Sequence, residues 1–533
     1  MNKKRMLALL LAALMLVTLF AGCGGDTSTD TTTGDTSTGD STGDTTSADG
    51  LVEFNIGLNQ DLYAMNLGGA DSGMEGIVFP LLYDYLIYRD ADGNLVPRLW
   101  TSWEPSEDGL EWTITLREGV TFHNGEPFTS EAMKVTYEWF ATDETLSIHP
   151  TWEKLQEVEI VDDLTCIFRF RELDALFLNN ITKSGCFHMA YVEPKSFQEL
   201  GVDAYFENPV GCGPYSFVSW DPGNELILER DPNYDYWDDS IKTNIDRYII
   251  STISEDMTRV SSMRTGESDM IISIPYEQME TLQSTDGVKV EQIDGSTAYW
   301  IGIECGEGYV FNDPNLRQAL SECLDRETIA SSIYGLADPL HWLVPSYSTC
   351  YDEEAASQHY QYDLEHAKEL VANSNYDGTP IRLIAVNSFA KMTELSQAMV
   401  SMLQSVGFAV DLQMIEHSAL NETRGSGQYD IFISNAAFER DASYWIQIQV
   451  VNDRGHFEFD YPEIKDLISE ANQTLDDDIR EEMMREACLQ CAEVYGPIQP
   501  LFTMQTTLAT KENVSGYVLL PNVSTYLFDM VVE

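Results

Sequence analysis

Between Leu95 and Phe140 the chain permits one local plan, strand, turn, strand, turn, helix, and the rest of the protein must be compatible with it. Trp112, Ile114 and Leu116 alternate with Thr113 and Thr115. That is the period of a strand with one buried face, and Asp108-Gly109 ahead of it is hairpin chemistry. His123-Asn124-Gly125-Glu126-Pro127 makes a second turn, because Asn-Gly tolerates positive φ and proline cannot donate to a sheet ladder. Thr129 then offers its hydroxyl as a helix N-cap, Glu131 stands in the first turn, and Met133, Tyr137 and Phe140 share one face. Nothing in the stretch has the spacing of a catalytic group; it reads as scaffold.

Taken in order, Pro97, Leu99, Ser102, Trp103, Asp108, Gly109, Leu116, Arg117, Gly119, Val120, Phe122, His123, Gly125, Phe128, Thr129 and Glu131 resemble a known family. It is that of the extracytoplasmic solute-binding proteins of ABC importers, family 5, of the oligopeptide and dipeptide type. Asn208-Pro209-Val210-Gly211-Cys212-Gly213-Pro214-Tyr215 is similar to the family again, with Cys212 where threonine is usual, as is Asp231 to Trp237. So is Arg317-Gln318-Ala319-Leu320 with Leu324-Asp325-Arg326, in a helix started by Asp313 as N-cap and Pro314 at the first position. The resemblance covers nearly all of residues 51–533. It implies an α/β fold of two lobes joined by a hinge, a type II periplasmic-binding-protein-like fold with the extra subdomain of the larger members.

The residues support that plan piece by piece. Strand Leu51 to Leu58 and helix Ile77 to Tyr88 open the first lobe. In the second, Ile381 to Val386, a helix from Met392 to Val406, the alternating run Phe408 to Met414 and the strand Tyr429 to Ile433 require parallel pairing across a long crossover. The expected boundaries are a signal peptide at 1–22, a lipid-anchored tether at 23–50, lobe I at 51–94 and 209–296, the extra subdomain at 95–208, lobe II at 297–498, and a return to lobe I at 499–533. The extra subdomain is expected to be a spectator to binding.

At 533 residues the chain is too long for one core. Its net charge of -58, from 88 acidic against 30 basic residues, argues against a nucleic-acid partner, whose phosphates need clustered Lys and Arg. A solvated acidic surface or an acidic cleft selecting cations would each account for it.

Lys3-Lys4-Arg5 and the apolar run Met6 to Phe20 form a signal peptide. Leu19-Phe20-Ala21-Gly22-Cys23 resembles a bacterial lipobox, with Phe20 where leucine is usual, and makes Cys23 the expected lipidation site. Residues 24–50 contain only Gly, Asp, Thr, Ser and one Ala, with nothing to bury, so a flexible leash is expected. The implied location is the extracytoplasmic face of the cell membrane, held by a lipid.

Cys488 and Cys491 form a C-x-x-C, but inside a helical pattern and with no second pair at zinc distance, so core packing is the expected role. No metal or cofactor is expected. There is no G-x-S-x-G, H-E-x-x-H or P-loop, and an enzyme is not expected.

In the family the ligand lies between the lobes, and peptide binders carry Trp-x-x-Asp there, the Asp receiving the peptide ammonium. Phe438-x-x-Asp441 matches with Phe for Trp. Tyr299, Trp300 and Trp445 are aromatic candidates for cleft walls, each equally suited to core packing, and Gly73 and Met74 stand where a ligand-facing loop would be. Glu304 replaces a usual Asn. The resemblance implies a monomer that captures peptides and delivers them to the permease. The same fold could bind a nickel chelate, a sugar or another small solute, or report its ligand to a signalling partner.

Overall fold

The computed structural model describes residues 50–68, 74–90, 94–182, 190–234, 243–387, 391–416, 419–521, 525–527 and 529–533. The signal segment, Cys23, nearly all of the tether, and Gly73 lie outside them.

Two sheets carry the fold. The first has seven strands in the order Val288–Ile293, Thr506–Lys511, Met270–Ile272, Glu53–Leu58, Arg247–Thr252, Glu225–Arg230 and Tyr215–Asp221. Glu53–Leu58 runs parallel to both its neighbours. The second has six, Ala337–Pro339, Ile498–Met504, Thr297–Ile303, Ile431–Ala437, Ile381–Val386 and Val410–Ile415. Here Ile381–Val386 pairs in parallel on both sides, with helix Met392–Ser405 as the crossover. This is the mixed α/β architecture expected.

A third sheet, of four antiparallel strands, holds Trp100–Pro105, Glu111–Leu116, Thr165–Phe170 and Leu155–Asp162 in that order. Trp112, Ile114 and Leu116 are buried and their neighbours half-buried, as period-2 patterning requires. The apolar core under this sheet is continuous with that of the first lobe, whereas the second lobe has a core of its own. The molecule therefore divides into two bodies at the connections between the large sheets.

Two segments make those connections, Ile293 to Thr297 and Met504 to Thr506. They pass so closely that a Cβ at Gly295 would collide with the carbonyl oxygen of Met504. Ile498–Met504 belongs to the second sheet, so the return comes six residues later than the expected boundary at 499. The run Ile498 to Phe502 is wholly buried beside the Thr297–Ile303 strand, and length alone could not tell a crossing from a buried central strand.

Other local expectations also shift. The helix expected over Ile77 to Tyr88 is Glu75–Tyr83. It ends where Asp84, at φ 63°, turns to receive the buried Arg98 at 3.0 Å, and Ile87–Arg89 continues as a strand. Thr129 does precede helix Ser130–Thr142, but its side chain makes no cap bond. The Gly211-Cys212-Gly213 turn is a close approach of chains, since a Cβ on either glycine would strike a carbonyl of Leu81 or Leu82.

Candidate functional site

A cavity of about 420 Å³ opens between the two bodies. On one side stand Arg89, Asp90, Leu176, Asn179 and Asn180 of the four-stranded subdomain, Val518 to Pro521 and Tyr526; on the other stand Tyr347, residues 439–442, Trp445 and Arg454. Strand Ile431–Ala437 ends at the cavity, so the chain leaving it delivers residues 439–442 into the wall. Phe438 turns the other way. It is 1% exposed, donates its backbone N–H to Ser296 O at 3.0 Å, and packs its ring 4.6 Å from that of Trp445.

Asp441 is the most connected group of the wall. Its Oδ2 accepts from Asn179 Nδ2 at 2.7 Å and from Arg480 Nη2 at 3.0 Å, while Oδ1 accepts from the backbone N–H of Ser443 at 2.8 Å. Arg480 rises from helix Asp477–Glu493 and is also held by Asp477 at 2.6 Å. Burial works against its charge, but Asp441 and Asp477 more than offset it and keep the guanidinium above its usual value. Arg89 donates to Asn179 Oδ1 at 2.5 Å. Burial pulls its pKa down, Asp477 and Asp441 oppose, and Arg440 and Arg480 add to the fall. Asn179 thus bridges the two bodies, with an arginine behind it and a carboxylate in front.

The subdomain, expected to stand apart from the site, reaches the cavity wall. Leu176, Asn179, Asn180 and Thr182 line the cavity, and Leu475 of the second body would meet a Cβ at Gly109, in the subdomain's hairpin turn.

Of the residues singled out in the sequence, Asp441 and Trp445 border the cavity. Trp300 lies one layer behind, its ring 5.5 Å from Trp445 and 5.4 Å from Phe432. Tyr299 points to the opposite face of its strand, stacked 4.6 Å from Phe502, as alternation dictates. Phe438 and Met74 are core residues, Met74 being 3% exposed, and Gly73 is outside the described residues. Sequence reading did not single out Asn179, Arg89, Arg440, Arg454 or Arg480. Among the described residues no group of three or more His, Cys, Asp and Glu side chains could hold a metal ion, and no helix is long and apolar enough to cross a membrane. The seven cysteines among the described residues, Cys488 and Cys491 included, are free and buried.

Residues 94–450 match the family model of the bacterial extracellular solute-binding proteins, family 5. The glutathione-binding protein GsiB of Pectobacterium atrosepticum is 25% identical over 350 residues, 65% of this chain and 66% of that one. A probable D,D-dipeptide-binding periplasmic protein of Escherichia coli, DdpA, is 24% identical over 449 residues, covering 81% and 83%. Among solved structures, the ABC transporter substrate-binding protein CtaP of Listeria monocytogenes superposes with a TM-score of 0.78 at 21% identity, over 90% of this chain and 99% of that one.

Proposed function

The chain belongs to family 5 of the bacterial extracellular solute-binding proteins, and from that membership we propose that it captures short peptides in the interlobe cavity and delivers them to the membrane permease of an ABC importer. The observation that carries the reading is the cavity itself. Its volume of about 420 Å³ falls in the ~300–1,000 Å³ range of small-ligand sites, and both bodies wall it. Relatives named for glutathione and for D,D-dipeptides support peptides over other solutes.

Asp441 receives the ligand's ammonium in this reading. Both its oxygens already accept bonds, but a carboxylate has about four lone-pair sites. Trp445 supplies an apolar wall, with Trp300 and Phe438 fixing it from behind. Two short connections beside one another suit a hinge, so ligand entry and release follow from rotation about 293–297 and 504–506. Cys23 carries a lipid, and the Gly/Ser/Thr/Asp-rich segment after it gives the binding body reach from the membrane surface.

Native mass spectrometry of the chain purified gently from its host tests the ligand. Co-purifying masses that fragment as peptides, lost in Asp441→Ala, are expected; a bound metal complex or sugar would keep the family and sink the peptide reading. Mass analysis of the mature N-terminus should find a diacylglyceryl adduct on Cys23, and an unmodified residue there would remove the anchor.

A further inference from the structure

Basic side chains are scarce in this chain, 30 against 88 acids, and most described arginines are committed. Arg98 holds Asp84, Arg247 holds Glu53 and Glu229, and Arg382 holds Asp430. Buried Arg317 and Arg326 donate to backbone carbonyls. Arg440 and Arg454 stand apart. Both line the cavity, and among the described residues neither side chain makes a hydrogen bond or an ion pair.

A third arginine backs them. Arg424, on helix Leu420–Gly425, is 7% exposed, and its Nε is buried with no hydrogen-bond partner. The rest of its guanidinium has Asn421 and the face of Phe432 at 5.2 Å. Burial first, and then the nearness of Arg454, depress its pKa. No carboxylate pairs with it among the described residues, although the chain is richly supplied with them.

The acids of the wall do not pair with Arg440 or Arg454. Asp441 is already answered by Arg480, and Asp90 accepts the N–H of Asn94 at 2.8 Å. At the wall Arg89, Arg440 and Arg454 face Asp90, Glu439 and Asp441, and behind it Arg424 and Arg480 stand with Asp477 and Glu481, so the formal charges balance and what distinguishes Arg440 and Arg454 is that no acid among the described residues pairs with them. A protein with a net charge of -58 thus keeps two unpaired guanidinium groups at the wall of one cavity. Arginine is the side chain suited to it, because its planar fork meets a carboxylate with two parallel bonds.

We infer that the cavity selects ligands whose anionic groups outnumber their cationic ones, short acidic peptides in the first place, and that Arg440 and Arg454 are the residues that determine this specificity. The inference rests on the reading of the cavity as the ligand site. An anion between Arg440 and Arg454 supplies the partners those groups lack and relieves the repulsion between Arg454 and Arg424. A ligand with a cationic side chain meets the same unpaired arginines as a penalty.

The test is calorimetry and thermal shift on the mature chain at neutral pH with Ala-Glu, Ala-Ala, Ala-Lys and glutarate. It is repeated for Arg440→Gln and Arg454→Gln, the second an exposed position whose replacement leaves the core intact. Ala-Glu is expected to bind about tenfold or more tighter than Ala-Ala, with Ala-Lys weakest, as one desolvated charge pair provides. Arg454→Gln should weaken Ala-Glu by about tenfold and Ala-Ala, which has only its terminal carboxylate to lose a partner for, by less, so that the preference shrinks. Equal binding of the three peptides would overturn the inference and leave the peptide reading standing. Glutarate binding with no peptide binding would do the reverse. Absence of binding by every acidic compound would overturn the inference, as would losses in both variants that are the same for all three peptides.

Discussion

Arg480 and Asp441 meet at 3.0 Å across the back of the cavity, the arginine side chain 1% and the carboxylate 10% exposed. A pair so enclosed contributes little net stability while intact, because desolvation consumes the Coulombic gain, yet breaking it leaves a buried charge alone. Arg480→Met should lower unfolding free energy by about 3–5 kcal/mol, and the double variant Arg480→Met with Asp441→Leu should recover much of that loss. Chemical denaturation of the four proteins gives the coupling directly; additive losses would mean the two groups are independent.

Asn179 makes the polar link from the subdomain to the second body. Asn179→Asp turns its donor into a second carboxylate opposite Asp441, 2.7 Å away in the native arrangement. The cleft should open, seen as a larger radius of gyration in small-angle scattering without ligand. An unchanged scattering curve would reduce the link to a passive contact.

Glu304 ends the Thr297–Ile303 strand and is 2% exposed. Burial raises its pKa to about 7, the N–H of Gly306 opposes, and Glu458, Asp453 and Asp430 add to the rise. The unfolded chain ionises this group near 4.5, so it takes up protons less readily than the folded one. Stability from Glu304 is therefore fully present below about 4.5 and is lost as pH rises through about 7. Glu304→Gln should raise the melting temperature at pH 8 and change it little at pH 4.5; a gain that does not depend on pH would contradict this origin.

Burial keeps the thiols inert. Cys166, Cys305, Cys323 and Cys491 are each pushed up to about 12, and a thiol rather than a thiolate is a poor nucleophile. Iodoacetamide at pH 8 should leave the seven described cysteines unlabelled in the native protein and label them all in denaturant, read by peptide mapping. Rapid native labelling of Cys488 or Cys491 would argue against a packing role for the C-x-x-C.

What the sequence disclosed, and what it hid, follows from range. The strands and turns of 95–140 were legible because hairpin residues, alternation and helix faces act over a few positions. Phe438-x-x-Asp441 stood out only through its resemblance to the family's Trp-x-x-Asp, and Asp441 does border the cavity. Its partners could not be located, since Asn179 lies 262 residues away and Arg480 stands in an otherwise ordinary amphipathic helix. Tyr299 and Trp300 are adjacent in sequence, and only the register of a buried central strand decides which faces Trp445. Arg440 and Arg454 are informative for the partners they lack, a property that no local pattern records.

In the seven-stranded sheet, Thr506–Lys511 sits between Val288–Ile293 and Met270–Ile272 and is hydrogen-bonded to both. The first lobe, which begins the folded chain, is thus completed by nearly its last strand. A chain emerging from a ribosome cannot close that sheet until some five hundred residues have passed, although domains ordinarily fold from the N-terminus as they appear. The first lobe therefore cannot reach its full strand pairing before the whole of the second lobe has been made, and its folding waits on its own connectivity.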